Sequence, residues 1–199
     1  MTAPSDKRQR KAAARLYAVQ ALFQMESSGQ TAEAVCREFE DHRFGATYEE
    51  GEFAEGDPAH FRALVDEAVN WQAKIDQLTD RALVAAWPID RIDPVLRALF
   101  RAAGAEIVDL PTPPKVAITE YVDVAKAFFP DGKEPKFVNA VLDHMAREAK
   151  PEEDQALAGQ YAQAWARAEA EAYYRAISTR YKAVKKVDPV AAAAAASAA

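Results

Sequence analysis

Apolar residues recur along this chain at steps of three and four, the spacing that puts them on one face of a helix. From residue 5 to about 25, Leu16, Val19 and Phe23 form the expected buried stripe. Ala12, Ala13, Ala14, Ala18 and Ala21 add helix propensity there. A second helix is expected from Thr31 to about His42, with Val35, Cys36 and Phe39 facing inward. Residues 43–57 hold three glycines and, after Tyr48, five acids, and read as a solvated loop. Asp57 or Pro58 opens a third helix through Leu64, Val65, Ala68, Val69 and Trp71. The stretch 72–87 either continues it after a kink or forms a separate helix, burying Ile75, Leu78, Leu83 and Val84. Pro88 breaks the pattern and marks an internal boundary. Asp93 then serves as a cap and Pro94 as first helical residue for a helix carrying Val95, Leu96, Leu99, Phe100, Ala103 and Ile107.

The stretch 113–149 reads as a helical hairpin. Thr112 is the expected cap of its first helix, with prolines where a missing N–H costs little. Val116, Ile118, Tyr121, Val122, Ala125 and Phe128 share a face. Pro130-Asp131-Gly132 stops that helix. Pro135 opens the next, whose stripe is Phe137, Val138, Val141, Leu142 and Met145.

Beyond residue 150 the pattern predicts a helical extension, 150–187, with Leu157, Tyr161, Trp165, Ala168 and Ala172 in line. Arg175, Arg180, Lys182, Lys185 and Lys186 follow, near Tyr173, Tyr174 and Tyr181. Cations among aromatics suit a single-stranded nucleic acid, and they equally suit a helix C-terminus. Residues 188–199 read as an alanine-rich disordered tail.

Charge changes the picture more than composition does. The net charge of −6 argues against nucleic acid, but it is unevenly spread. Through Met25 five basic residues, Lys7, Arg8, Arg10, Lys11 and Arg15, face one acid, Asp6. From Glu26 to Val69 twelve acids face three basic residues. Screening limits the reach of distant charge to about 8 Å, so a local basic patch can bind phosphates on an acidic molecule. Arg8, Lys11 and Arg15 step by three and four and share one side of the first helix. Charge alone is also consistent with a solvated helix start.

The single cysteine, Cys36, excludes an internal disulfide and suits a reducing compartment; its bland reading is a small buried hydrophobe. His42, His60 and His144 lack metal-ligand spacing, and no phosphate loop, nucleophile elbow or dinucleotide fingerprint occurs. No metal, no cofactor and no catalysis is expected. With no run of about eighteen apolar residues and no signal sequence, a cytoplasmic protein without membrane contact is expected.

The order of residues in the hairpin, KVAITEYVDVAKAF, a polar turn, then KFVNAVLD, resembles the C-terminal signature of the NusB family of bacterial transcription antitermination factors. Ala18-Val19-Gln20-Ala21-Leu22 resembles that family's arginine-rich first helix. LRALFRAAGAEI resembles its central helix, with Ala105 in place of an aromatic residue. The resemblance covers about residues 8–149. It implies an all-α, NusB-like fold of two small helical bundles, about seven helices, here spanning 5–149 with subdomains of about 5–87 and 89–149.

The resemblance also implies a function. Such proteins bind boxA, a short single-stranded RNA element in leader and ribosomal RNA transcripts. They do so with the ribosomal protein NusE, within an RNA polymerase antitermination complex. Lys7, Arg8, Arg10, Lys11 and Arg15 would then neutralise phosphates. Arg101 would add a contact, or simply snorkel. Lys133, Lys136 and Phe137 would offer charge, a helix start and a ring, although Phe137 also fits the core stripe. Asp90, Asp93 and Leu96 lie where the resemblance puts the protein partner. Two other readings stay open: a module like that attached to ribosomal RNA cytosine methyltransferases, and a helical adaptor that binds protein alone.

Overall fold

The computed structural model describes residues 4–48, 51–83 and 88–150, which all fall within one compact unit, Met1–Pro151. The expectations for Val84, for the 150–187 extension and for the 188–199 tail lie outside the described residues. Those residues form seven α-helices: α1 (Pro4–Ser28), α2 (Ala32–His42), α3 (Pro58–Asn70), α4 (Gln72–Ala82), α5 (Pro94–Val108), α6 (Pro114–Phe128) and α7 (Glu134–Ala149). A 3-10 turn, Ile89–Arg91, precedes α5, and a two-residue antiparallel pair, Thr47–Tyr48 with Gly51–Glu52, follows α2.

Most ends have visible causes. Gly29 closes α1 at a positive φ of 71°, its N–H reaching Met25 O at 2.9 Å, the left-handed position that favours glycine. Thr31, Asp57 and Asp93 accept from Ala34, His60 and Val95 N–H and cap α2, α3 and α5. The chain leaves helical geometry at Trp71 (φ −102°, ψ 10°), so α3 and α4 are separate helices. Thr112 does not cap α6. Pro113 holds that position without a side-chain bond, and Thr112 instead donates to Glu106 at 2.7 Å.

Helix α5 is the axis of the unit. Ten of its fifteen residues are buried, and it packs against α1, α3, α4, α6 and α7. Such close packing on every side needs small side chains. A Cβ on Gly104 would lie 2.3 Å from Ile75 Cγ2, so α4 crosses α5 where only glycine fits. Ala105 is likewise fully buried.

The buried side of α1 departs from the expected stripe. Val19 is buried, but Leu16 is half-buried and Phe23 is 38% exposed. Ala14, Tyr17, Ala18, Ala21 and Leu22 do the packing, because alanines allow the backbone of α1 to approach its neighbours closely. In α6 the interior side is Ala117, Tyr121, Val124 and Ala125, while Val116 is exposed. In α7, Val138, Val141, Leu142 and Met145 are buried as expected.

The expectation of a solvated loop over 43–57 is corrected. Its described part folds back onto α1, where Tyr17 Oη donates to Ala54 O (2.7 Å) and Asp57 N to Arg10 O (3.0 Å). Phe44 stacks on Tyr17 with ring centres 4.8 Å apart and covers Gly56, whose added Cβ would meet that ring at 2.7 Å. Phe39 and Phe61 extend the same aromatic cluster. Each such ring contributes on the order of 1.5–3 kcal/mol by burial, which outweighs the polar composition of the segment.

Candidate nucleic-acid interface

The basic residues of α1 divide into two groups. Lys7 and Arg8 are exposed, and Arg10 and Lys11 are half-buried. Arg10 donates through Nε and Nη2 to Gly56 O at 3.4 and 3.3 Å, which ties one edge of its guanidinium to the 53–57 segment and leaves Nη1 unengaged by that carbonyl. Lys7 and Arg10 line a hollow of about 340 Å³ with Asp57 and Pro58 at the start of α3. Arg8 turns the other way, toward α6, with Nη2 3.6 Å from Glu120 Oε1.

Arg15 belongs to a different order of structure, and its expected place in a phosphate clamp is corrected. It is only 4% exposed. Its Nε and Nη2 donate to the two oxygens of Glu106 at 2.9 and 2.7 Å, and Nη1 donates to Glu120 at 3.2 Å. Burial works against the Arg15 charge, but hydrogen bonds and attraction from Glu106 outweigh it and raise its pKa. For Glu106, burial pushes the carboxyl up. The facing His60 ring, the Arg15 guanidinium and the Thr112 hydroxyl together prevail and hold it at about 2. His60 Nε2 stands 3.5 Å from Glu106 Oε1, at the outer limit of a hydrogen bond. A guanidinium buried between two carboxylates is out of reach of RNA.

Arg101, expected to add a phosphate contact or to snorkel, is held in ion pairs. Nε and Nη2 grip Asp76 at 3.0 and 2.9 Å and Nη1 reaches Glu26 at 2.8 Å. The side chain ties α5 to α4 and to the end of α1. Arg97 pairs with Glu26 beside it.

At the start of α7, Lys133, Lys136 and Phe137 are exposed. The Phe137 ring stands edge-on to Phe100, centres 5.8 Å apart and planes at 74°. Core and surface readings are therefore both met: one edge packs, and the residue remains 37% exposed.

The two candidate contact elements do not lie side by side. Arg15 pairs with Glu106, whereas Glu26, later in α1, pairs with Arg97 and Arg101, earlier in α5. The helices are thus antiparallel. Phe137 sits beside Phe100, toward the Glu26 end, and Lys7–Lys11 lie at the other. At 1.5 Å per residue the separation along α1 is on the order of 20 Å.

Of the residues expected to meet a protein, Asp90 and Asp93 are exposed, the latter also capping α5. Leu96 is buried and packs in the core, which corrects its expected place on a docking surface. The same end of the molecule carries an open groove of about 470 Å³ lined by Val19, Phe23, Val95 and Phe128, with Gln20 and Gln24 at its edge. Phe23 is the residue that sequence reasoning missed here. Its spacing from Val19 reads as core, and only the packing of the alanine face turns it outward.

Among the described residues no cluster of three or more His, Cys, Asp or Glu is placed to hold a metal ion. Burial pushes the Cys36 thiol up to about 11, so it is a packed hydrophobe rather than a nucleophile. No described helix is long and apolar enough to cross a membrane.

The fold is that of an all-helical protein whose first helix begins with the exposed Lys7 and Arg8 and whose other end carries an open groove. Residues 12–147 match the sequence profile of the NusB family. The chain is 48% identical over 154 residues to the transcription antitermination protein NusB of Maricaulis maris (strain MCS10), covering 75% of this chain and 94% of that protein. It is 44% identical over 141 residues to the protein of the same name from Agrobacterium fabrum (strain C58 / ATCC 33970), covering 70% and 85%. A crystal structure of the antitermination factors NusB and NusE in complex with dsRNA superposes with a TM-score of 0.58 at 26% identity, covering 71% of this chain and 98% of that one. NusB of T. maritima gives a TM-score of 0.56 at 28% identity, covering 77% and 97%. The chain belongs to the NusB family and is a non-catalytic transcription antitermination factor.

Proposed function

We propose that this factor binds a boxA-like single strand of RNA in nascent ribosomal RNA transcripts together with the ribosomal protein NusE, in the cytoplasm, as part of an RNA polymerase antitermination complex. The observation that carries the reading is the division of labour on α1. Arg15 is absorbed by the fold, while Lys7, Arg8, Arg10 and Lys11 leave cationic groups at the free end of the same helix. A helix start that is basic works against its own dipole by some tenths of a kcal/mol, so the cluster has a use other than stability. Lys133, Lys136 and Phe137 form a second contact region, which an extended strand can reach where a compact ligand cannot. NusE meets the Asp90–Asp93 turn and the Phe23 groove, at the end of α1 remote from Lys7.

Titration of labelled boxA-like RNA tests this, with and without NusE and across a range of salt. Submicromolar binding is expected with NusE, weaker binding alone, and affinity that falls as salt rises. Equal binding of an unrelated strand or of duplex RNA, or no effect of NusE, would overturn the reading.

A further inference from the structure

One face of α1 adjoins its basic start at Arg8 and looks toward α6. Between it, α6 and the segment at Phe53 and Ala54 runs a groove of about 890 Å³. Its floor is small and apolar, from Ala12 and Leu16 on one side to Val124 and Ala127 on the other. Arg8, Glu120 and Asp123 stand along it.

We propose that this groove is a nucleobase subsite, taking one unpaired base of the RNA whose phosphates meet the start of α1. The proposal rests on the RNA-binding reading above and adds to it a site for a base. Continuity supports it first. Arg8 lines the groove with its side chain 82% exposed, so a phosphate held there sets the adjoining base over the apolar floor. Shape supports it second. Alanine side chains leave a shallow floor on which a planar ring can lie, and single-stranded RNA is read largely by bases splayed out of the stack.

Charge decides between occupants. The carboxylates at the rim accept hydrogen bonds and cannot donate them. Glu120 is tied through Oε2 to Arg15, while Oε1 faces Arg8 at 3.6 Å, beyond hydrogen-bond reach. Asp123 holds Lys126 through Oδ1. Each carboxylate therefore retains acceptor capacity. An unpaired base of any kind presents at least one N–H on its Watson–Crick edge to such an acceptor. An apolar helix of a partner protein laid in the same groove would take Arg8, Glu120 and Asp123 from water and offer them no partner beyond those they have, which costs rather than stabilises.

The test fills the groove without touching a cation. Ala127 is exposed, so Ala127→Leu leaves the core intact, and Ala12→Leu fills the opposite wall. Both are titrated with a boxA-like single strand and with versions carrying one abasic nucleotide at each position in turn. The expected result is binding at least about tenfold weaker, with an unchanged salt slope, since every phosphate keeps its cation. One abasic position should reproduce that loss in the wild type and add nothing in Ala127→Leu. Wild-type affinity in both filled variants overturns the subsite while leaving RNA binding intact. A loss seen only in the complex with NusE also overturns it, in favour of a protein occupant. Absence of RNA binding by the wild type removes the underlying reading as well.

Discussion

Arg15 Nη2 lies 2.7 Å from Glu106 Oε1 with both side chains buried, which locks α1 to the central helix α5. Glu120 extends the lock to α6, and through its other oxygen faces Arg8. One carboxylate thus connects the structural arginine to the first exposed one.

Removing half of this lock should be costly. Arg15→Leu leaves Glu106 buried without its guanidinium, facing His60, Thr112 and Tyr121. Loss of one partner of such a pair typically costs about 3–5 kcal/mol. Urea unfolding should show a loss of that order. The double variant Arg15→Leu/Glu106→Leu should recover part of it, since neither charge then remains buried alone. A double variant no more stable than the single would show that the pair is not the cause.

Acid should unfold the protein by the same route. Glu106 ordinarily titrates near 4.5 and is held at about 2 in the fold. A carboxyl lowered in this way contributes stability that is full above its unfolded pKa and is lost as pH falls toward its folded one. Glu26, held down by its hydrogen bond to Arg97, acts in the same direction. Unfolding midpoints should therefore decline from about pH 5 downward. In Glu106→Gln they should start lower and decline less.

The phosphate role separates by salt. Replacing Lys7, Arg8, Arg10 and Lys11 by alanine should weaken RNA binding. The slope of log affinity against log salt should flatten by about 0.7 for each phosphate no longer neutralised. Arg101→Ala should lower stability and leave the slope unchanged, because Asp76 and Glu26 already hold its guanidinium. A flattened slope in Arg101→Ala would restore it to the interface.

Phe23→Ala should reveal the protein-binding groove. The ring is 38% exposed, so stability should change little. Association with NusE should weaken by about tenfold or more, as for an aromatic anchor at the centre of an interface. RNA binding measured without NusE should be unaffected.

Gly104→Ala tests the crossing of α4 and α5. The new methyl would lie 2.3 Å from Cγ2 of Ile75, a fully buried β-branched side chain. Overpacking of this kind costs about 1–3 kcal/mol. Thermal unfolding should register it, against a usual gain of helix propensity for the same substitution on a free surface.

The sequence by itself determined the helices, most of their ends and the family. Helical periodicity, the Asp57 and Asp93 caps followed by proline, and the Lys136-Phe137-Val138-Asn139 order are local properties, readable without knowing any neighbour. It also marked the first helix as basic. Which of those cations serve the fold was not readable, because Arg15 and Arg8 share a side of α1 and differ only in what stands opposite them. Glu106 lies 91 residues away from Arg15 in the chain and Glu120 lies 105 away. Tertiary structure also turned Phe23 outward, drew Leu96 inward and folded the 43–57 segment onto Tyr17. It set the start of α7 at the far end of α1 from Lys7. In each case the deciding term is packing between elements distant in sequence: close approach at alanine and glycine, aromatic burial, and pairing of buried charge.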